Sequence, residues 1–213
     1  MSLEGAMRYY PAFLDLKGRR CVVVGGGKVA RRKVSSLLKA GAQVTVVSPA
    51  LVPALSRLKE KGVISHIRGR FAQAHLKGAF LVFSATDEAA ENERVARAAR
   101  RLNIPVNVAD LPELCSFIVP SVVDRGQLLI AVSTSGASPA MSRSIRLELE
   151  GLYGKQFARY LRALSRIRQK ALRELPPGPR RKLFKSMASD DIIRTIRSGK
   201  VKIKTPAGLL KGF

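Results

Sequence analysis

Apolar residues along this chain keep two alternating rhythms. Cys21-Val22-Val23-Val24 is a short, mostly β-branched run, and Ala30, Val34, Leu37 and Leu38 then recur at helical spacing. The change of period repeats downstream. QVTVVSP (43–49), VISHI (63–67), AFLVFSATD (79–87) and PVNVAD (105–110) read as further strands. Gly41 is the expected C′ residue closing the first helix. Thr86 or Asp87 is the expected N-cap of a helix running to about Leu102, with Asp87, Glu88 and Glu91 favourable near its positive end. Continuous apolar strands separated by helices predict a parallel sheet covered on both faces. With right-handed crossovers this is an α/β, Rossmann-type doubly wound fold.

After Asp110 the rhythm changes. SFIVPSVVDRGQLLIAVSTSG holds two apolar runs around Asp124-Arg125-Gly126-Gln127, which predicts a β-hairpin. Ser138-Pro139 is a helix start, with Met141, Ile145, Leu149 and Leu152 on one face. A further helix carries Phe157, Tyr160, Leu161, Leu164, Ile167 and Ala171 on its apolar side. Pro176-Pro177-Gly178-Pro179 is expected to break the chain, and a short helix to follow a cap at Ser189-Asp190-Asp191. KVKIKTPAGLLKGF (200–213) reads as a basic, disordered end. Three regions are expected: 1–113 as the Rossmann-type domain, 114–150 as a hairpin and helix region, and 151–213 as a small helical domain.

The 213 residues suffice for one substantial core with an appendage, or for two modest domains. Residues 1–6 (MSLEGA) read as a leader and are set aside. No apolar stretch approaches the ~18 residues that span a bilayer, and the N-terminus has no export signal pattern. Cys21 and Cys115 are too few for a disulfide framework, so a reducing, cytoplasmic setting is expected. Charge changes the picture most. Lys and Arg number 39 against 15 Asp and Glu, a net charge of +24, and more than half of the excess falls in residues 151–213. Such a field gathers polyanions: nucleic acid, an acidic membrane surface or a small polycarboxylate. A basic surface without a dedicated anion is the plainer alternative.

Candidate chemistry starts at the first strand–helix junction. Gly25, Gly27 and Ala30 have the G-x-G-x-x-A spacing: a tight turn, close backbone approach to a pyrophosphate, and close packing of helix on strand. The phosphates would meet the free N–H groups of a helix N-terminus, with Gly26, Lys28 and Val29 adding backbone amides. A glycine-rich turn without a ligand is the alternative. The fingerprint also expects an acid about 20 residues on; Ser48 stands there, able to bond a ribose but not to repel a 2′-phosphate. Asp110 closes the last expected parallel strand, at the C-terminal end where open α/β sheets bind ligands. It also reads as a helix cap with Glu113 three residues on. His66 and His75 lack metal-ligand spacing, and no metal site is expected.

Four phrases occur in order: YYPAFLDLKGRRCVVVGGGKVARRKVSSLLKAGAQVTVVSP (9–49), FSATDEAAEN (83–92), NVADLPELCSFIVPSVVDRG (107–126) and AVSTSGASP (131–139). Together they resemble the precorrin-2 dehydrogenases, stand-alone counterparts of the N-terminal module of siroheme synthases, over about residues 7–175. The resemblance implies NAD-dependent oxidation of precorrin-2 to sirohydrochlorin. In some relatives iron insertion follows, a bifunctional alternative here. It also implies a homodimer built through the 114–150 region and a tetrapyrrole substrate bearing eight carboxylates. Asp110 matches the family's catalytic aspartate. Pro49 and Ala50 match positions lining the adenosine side. Thr86 and Asp87 are expected to edge the nicotinamide side or to cap the helix. Ser133, Thr134, Ser135 and Gly136 are expected to hold a substrate carboxylate or to form a plain turn. NAD over NADP rests on the resemblance alone.

Two rival classes remain. A nucleic-acid binder would use Arg159, Arg162, Arg166, Arg168, Lys170 and Arg173, but no reading motif accompanies them. A regulatory module would bind the nucleotide without turnover.

Overall fold

Residues 9–198 are described by a computed structural model. The valine-rich runs become the strands β1 (Arg20–Val24), β2 (Gln43–Ser48), β3 (Ser65–Arg68), β4 (Leu81–Ser84) and β5 (Val106–Val108). All pair in parallel, in the order β3-β2-β1-β4-β5. Helices α1 (Lys28–Lys39), α2 (Pro53–Glu60) and α3 (Ala89–Arg101) fill the crossovers. Side chains alternate across the sheet, so each face has its own core. Cys21, Val23, Val46 and Phe83 pack with Ala30, Val34 and Leu37 of α1 and Leu55 of α2. Val22, Val24, Val82 and Val106 pack with Val95, Ala96 and Ala99 of α3. Chain order departs from spatial order between β1 and β4, which opens a crevice at their C-terminal ends, where such sheets bind ligands.

The chain forms two compact units, one running to Val119 and the other starting at Pro120. In the second, β6 (Ser121–Arg125) and β7 (Leu128–Val132) make an antiparallel hairpin turned by Gly126, whose φ is +73°. Helix α4 (Pro139–Leu152) starts as its sequence predicts: Ser138 Oγ accepts the Met141 N–H at 3.1 Å, with Pro139 at the first helical position. Arg125 donates to the carbonyls of Tyr153 at 2.8 Å and Glu150 at 3.2 Å, tying the hairpin to the end of α4. Beyond it lie α5 (Lys155–Glu174), α6 (Pro177–Ser186) and α7 (Asp190–Arg197). Ile167 and Ala171 bury against Leu183 and Met187.

Several expectations are corrected. The third strand spans Ser65–Arg68 rather than 63–67, and β5 stops at Val108. Pro176–Pro179 does not simply break the chain. Pro177 occupies the first turn of α6, where its missing N–H costs nothing. Neither Thr86 nor Asp87 is the N-cap of α3; Glu88 is, without a side-chain cap bond. Asp110 does not cap either. The short 3-10 turn Pro112–Leu114 follows Leu111, while Asp110 lies just before it with φ +60°. Gly41 closes α1 as predicted, with φ +78° and its N–H on the Leu38 carbonyl at 3.0 Å. The stretches 1–6 and 200–213 lie outside the described residues.

Candidate functional site

A cleft of about 700 Å³ opens above the sheet, entirely within the first unit. Its floor is the glycine turn between β1 and α1. Gly25, with φ +118°, donates to the Val47 carbonyl at 2.9 Å, and the Val52 N–H bonds the Gly26 carbonyl at 2.9 Å. The two contacts pin the turn between β2 and the start of α2. A methyl group on Gly25 would overlap the Ala85 carbonyl, and one on Gly26 the Ala50 carbonyl. Gly27 differs. Nothing lies within 4 Å of where its Cβ would stand, and its φ of −88° suits any residue. The space kept clear at Gly27 is therefore cleft, not protein. No side chain caps α1, so the first amides of the helix, including those of Lys28 and Val29, have no partner within it. This geometry fits a dinucleotide pyrophosphate: a helix N-terminus with bare amides beside a backbone without a side chain.

Gly25, Gly26, Gly27, Lys28, Val29, Ser48, Pro49, Ala50, Thr86, Asp87 and Asp110 all line this one cleft. Ser48 is buried, and its hydroxyl donates to the Ala50 carbonyl at 2.8 Å. His66 Nε2 lies 3.0 Å from the Ser48 carbonyl and 3.2 Å from its hydroxyl, so the Nε2–H tautomer donates to Ser48. His75 Nδ1 accepts the Ala72 N–H at 3.1 Å. Both histidines thus have local structural partners. Among the described residues, no group of three or more His, Cys, Asp or Glu is placed to hold a metal ion.

Asp110 stands exposed at the cleft's edge after β5, in the left-handed region that Asp tolerates better than most residues. The backbone around it is tightly held. The Val108 N–H donates to Cys115 Sγ at 3.1 Å, Sγ donates back toward the Val108 and Leu111 carbonyls, and Ala109 N–H bonds the Ser84 carbonyl at 2.8 Å. A left-handed Asp on a clamped loop matches the strain often stored at functional positions.

Two buried side chains of α3 brace the walls of the cleft, and a lysine of α1 makes a contact outside it. Asn92, buried on α3, accepts at Oδ1 from Ser84 Oγ at 2.7 Å and Thr86 Oγ1 at 2.9 Å. Its Nδ2 donates to the Thr86 carbonyl at 3.0 Å, fixing the turn after β4. Glu91, also buried, takes the Phe71 N–H at 2.9 Å and pairs with Arg94 at 2.7 Å, holding the 69–71 wall of the cleft. Lys33 donates to Asn107 Oδ1 at 3.3 Å. A signal for Asn92 exists: it is a polar residue on the helical stripe of Val95, Ala96 and Ala99.

Ser133, Thr134, Ser135 and Gly136 lie in the second unit, in the loop between β7 and α4. Thr134 Oγ1 accepts the Ser138 N–H at 3.0 Å and contacts the Ser138 carbonyl and Ser142 Oγ. Ser133 Oγ accepts the Ser135 N–H at 3.0 Å. Ser135 and Gly136 both have positive φ.

A family model described as putative NAD(P)-binding matches residues 12–121. The chain belongs to that NAD(P)-binding family. Directly after it, residues 125–152 match the sirohaem biosynthesis protein central region. The siroheme synthase of Methylobacillus flagellatus is 47% identical over 178 residues, which are 84% of this chain and 38% of that protein. The siroheme synthase of Nitrosospira multiformis is 41% identical over 199 residues, 91% of this chain and 42% of that protein. The chain thus spans about two fifths of the length of these curated relatives. Among solved structures, SirC, precorrin-2 dehydrogenase, superposes with a TM-score of 0.78 at 27% identity, covering 96% of this chain and 98% of that one. Every residue lining the cleft falls within the matched 12–121 segment, and the structural similarity extends through the hairpin and C-terminal helices.

Proposed function

We propose that the protein is a precorrin-2 dehydrogenase acting in siroheme biosynthesis, with NAD as hydride acceptor and Asp110 as the catalytic base. One observation carries the proposal: the glycine turn and Asp110 line a single cleft at the C-terminal ends of β1, β4 and β5. The amides of Gly26, Gly27, Lys28 and Val29 hold the pyrophosphate. Pro49 and Ala50 shape the adenosine side, and Ser48 meets the ribose as an acceptor because its hydrogen is engaged by Ala50. Thr86 and Asp87 edge the nicotinamide side. When bound there, NAD supplies a two-electron acceptor for a hydride from the substrate. Loss of a hydride from precorrin-2 leaves a cation that must also lose a proton to give sirohydrochlorin, and Asp110 takes that proton. The open edge at Asp110 suits this role, since its exposed carboxylate is within reach of a substrate lying across the cleft mouth.

The same reading assigns Ser133, Thr134, Ser135 and Gly136 to a substrate carboxylate at the start of α4. It assigns 1–113 to nucleotide binding, 114–150 to dimerisation and 151–213 to a helical domain. Supporting a homodimer, the two-stranded hairpin has no further strand beside it among the described residues, and Val122, Leu129, Met141 and Leu147 are exposed. Supporting a cytoplasmic enzyme, both cysteines are free. Among the described residues, no helix is long and apolar enough to cross a membrane. Phe157 is buried, and Tyr160 is half-buried with its hydroxyl on the Met187 carbonyl at 2.8 Å; both aromatics serve the packing of their helix, which favours the enzyme over the nucleic-acid binder.

The test is anaerobic incubation of the purified protein with precorrin-2 and NAD. The expected result is NADH and sirohydrochlorin in equal amounts. A folded sample that binds NAD and forms neither contradicts the proposal and leaves the regulatory module.

A further inference from the structure

Lys33 does not line the nucleotide cleft, and it is a half-buried cation of the first unit. It sits on α1 one helical turn, about 5.4 Å, beyond the cleft residue Val29. Its ammonium lies 5.0 Å from the centroid of Phe83 and bonds Asn107 Oδ1 at 3.3 Å. Phe83 and Asn107 are register partners on β4 and β5, so the amine lies over the same sheet face as both. Asn107 is itself buried and held from two sides, its Nδ2 donating to the Phe117 carbonyl at 3.1 Å and toward Cys115 Sγ. Three residues further along, β5 delivers Asp110 to the cleft edge.

What Lys33 lacks is an anion. Among the described residues, no carboxylate lies within 4.0 Å of its nitrogen. Burial and the neighbouring Arg32 both push its pKa below the ordinary lysine value, with Cys115 and Asp110 acting in the opposite sense. A desolvated ammonium with one neutral acceptor still has two N–H groups to place, and a carboxylate brought beside it would satisfy them and favour its charge.

We infer that Lys33, oriented by Asn107, anchors a peripheral carboxylate of the substrate beside Asp110. The inference rests on the tetrapyrrole reading above and names a contact that reading does not contain. A polycarboxylate macrocycle offers acids around its rim, so one anchored on Lys33 is turned to present its reacting carbon toward Asp110 and the nicotinamide end of the cleft. A cation held on a packed face fixes orientation, which the many solvated lysines and arginines of this surface cannot do.

The test uses sirohydrochlorin as the probe, titrated into the full chain with absorbance as the readout, alongside NAD titrations. Lys33→Met keeps the apolar stem and removes the charge. It should weaken sirohydrochlorin binding at least tenfold and leave NAD binding unchanged, and Lys33→Arg should recover most of the loss. Competitive amine labelling of the unmutated protein gives a second measurement that does not depend on a variant folding. Bound sirohydrochlorin should protect Lys33 but not Lys39, and NAD alone should protect neither. If the unmutated protein binds sirohydrochlorin, equal binding by Lys33→Met or unprotected Lys33 overturns the anchor alone. If the unmutated protein binds NAD but no sirohydrochlorin, the tetrapyrrole reading falls and the anchor with it.

Discussion

Gly26 and Gly27 are neighbours with opposite requirements, and that contrast makes the cleft testable one methyl group at a time. Gly26→Ala meets the Ala50 carbonyl, so it should cost stability, about 2 kcal/mol or more, as well as nucleotide binding. Gly27→Ala meets nothing in the protein and suits its φ. Its urea midpoint should therefore shift by less than the equivalent of about 1 kcal/mol, while NAD affinity drops at least tenfold in calorimetric titration. Unchanged affinity in that variant would mean the clear space is not where the pyrophosphate sits. Cys21 offers a second residue-scale test. Burial raises its thiol to about 11 from 9.0. The folded state therefore holds this proton more tightly than the unfolded state does. The contribution is intact below pH 9 and is lost as pH rises through about 11. Wild type should lose stability between pH 9 and 11 faster than Cys21→Ala, by at most about 1.4 kcal/mol per pH unit. Parallel curves would show that the thiol ionises freely in the folded chain.

At the scale of elements, the turn after β4 depends on a side chain from α3. Asn92 bonds Ser84 and Thr86 together, and Ser84 is 1% exposed, so removing the amide leaves a buried hydroxyl without its acceptor. Asn92→Ala should cost about 1–3 kcal/mol in chemical denaturation and raise the KM for NAD. A variant as stable as wild type would show that water replaces the amide. This dependence also marks the limit of what the sequence discloses. The doubly wound sheet, the α1 turn and the Ser138-Pro139 start are legible because each rests on a local signal: period, glycine spacing, a cap followed by proline. Asp110 is legible as a strand-end acid, but its left-handed backbone and its clamp by Cys115 are not, since they depend on contacts formed only after folding. Asn92 and Lys33 are likewise tertiary in origin: Lys33 bonds a residue 74 positions away, and Asn92 closes back on the turn after β4 only once α3 has packed. The helix α2 shows a different miss: Pro53 in the first turn and Gly62 after the end, with φ +67°, carried the signal without an apolar stripe long enough to reveal it.

For the whole molecule, a net charge of +24 would act on the proposed polyanionic substrate before any contact forms. Steering of this kind weakens as the Debye length shrinks, from about 10 Å at 0.1 M ionic strength to about 3 Å at 1 M. The value of kcat/KM for precorrin-2 should fall steeply with added salt while kcat changes little. A flat profile would leave the charge unexplained by this substrate. The exposed apolar residues of the hairpin and α4 carry a separate expectation, a dimer in sedimentation velocity at micromolar concentration. A monomer there would remove the assigned role of 114–150 without touching the nucleotide cleft. The central claim, a nucleotide seated beside a carboxylate that accepts the substrate proton, is tested most directly by Asp110→Asn, with NAD affinity and single-turnover NADH formation from precorrin-2 measured on the same sample. Affinity within twofold of wild type with a rate at least about 100-fold lower is the expected result; equal affinity with an undiminished rate would contradict it.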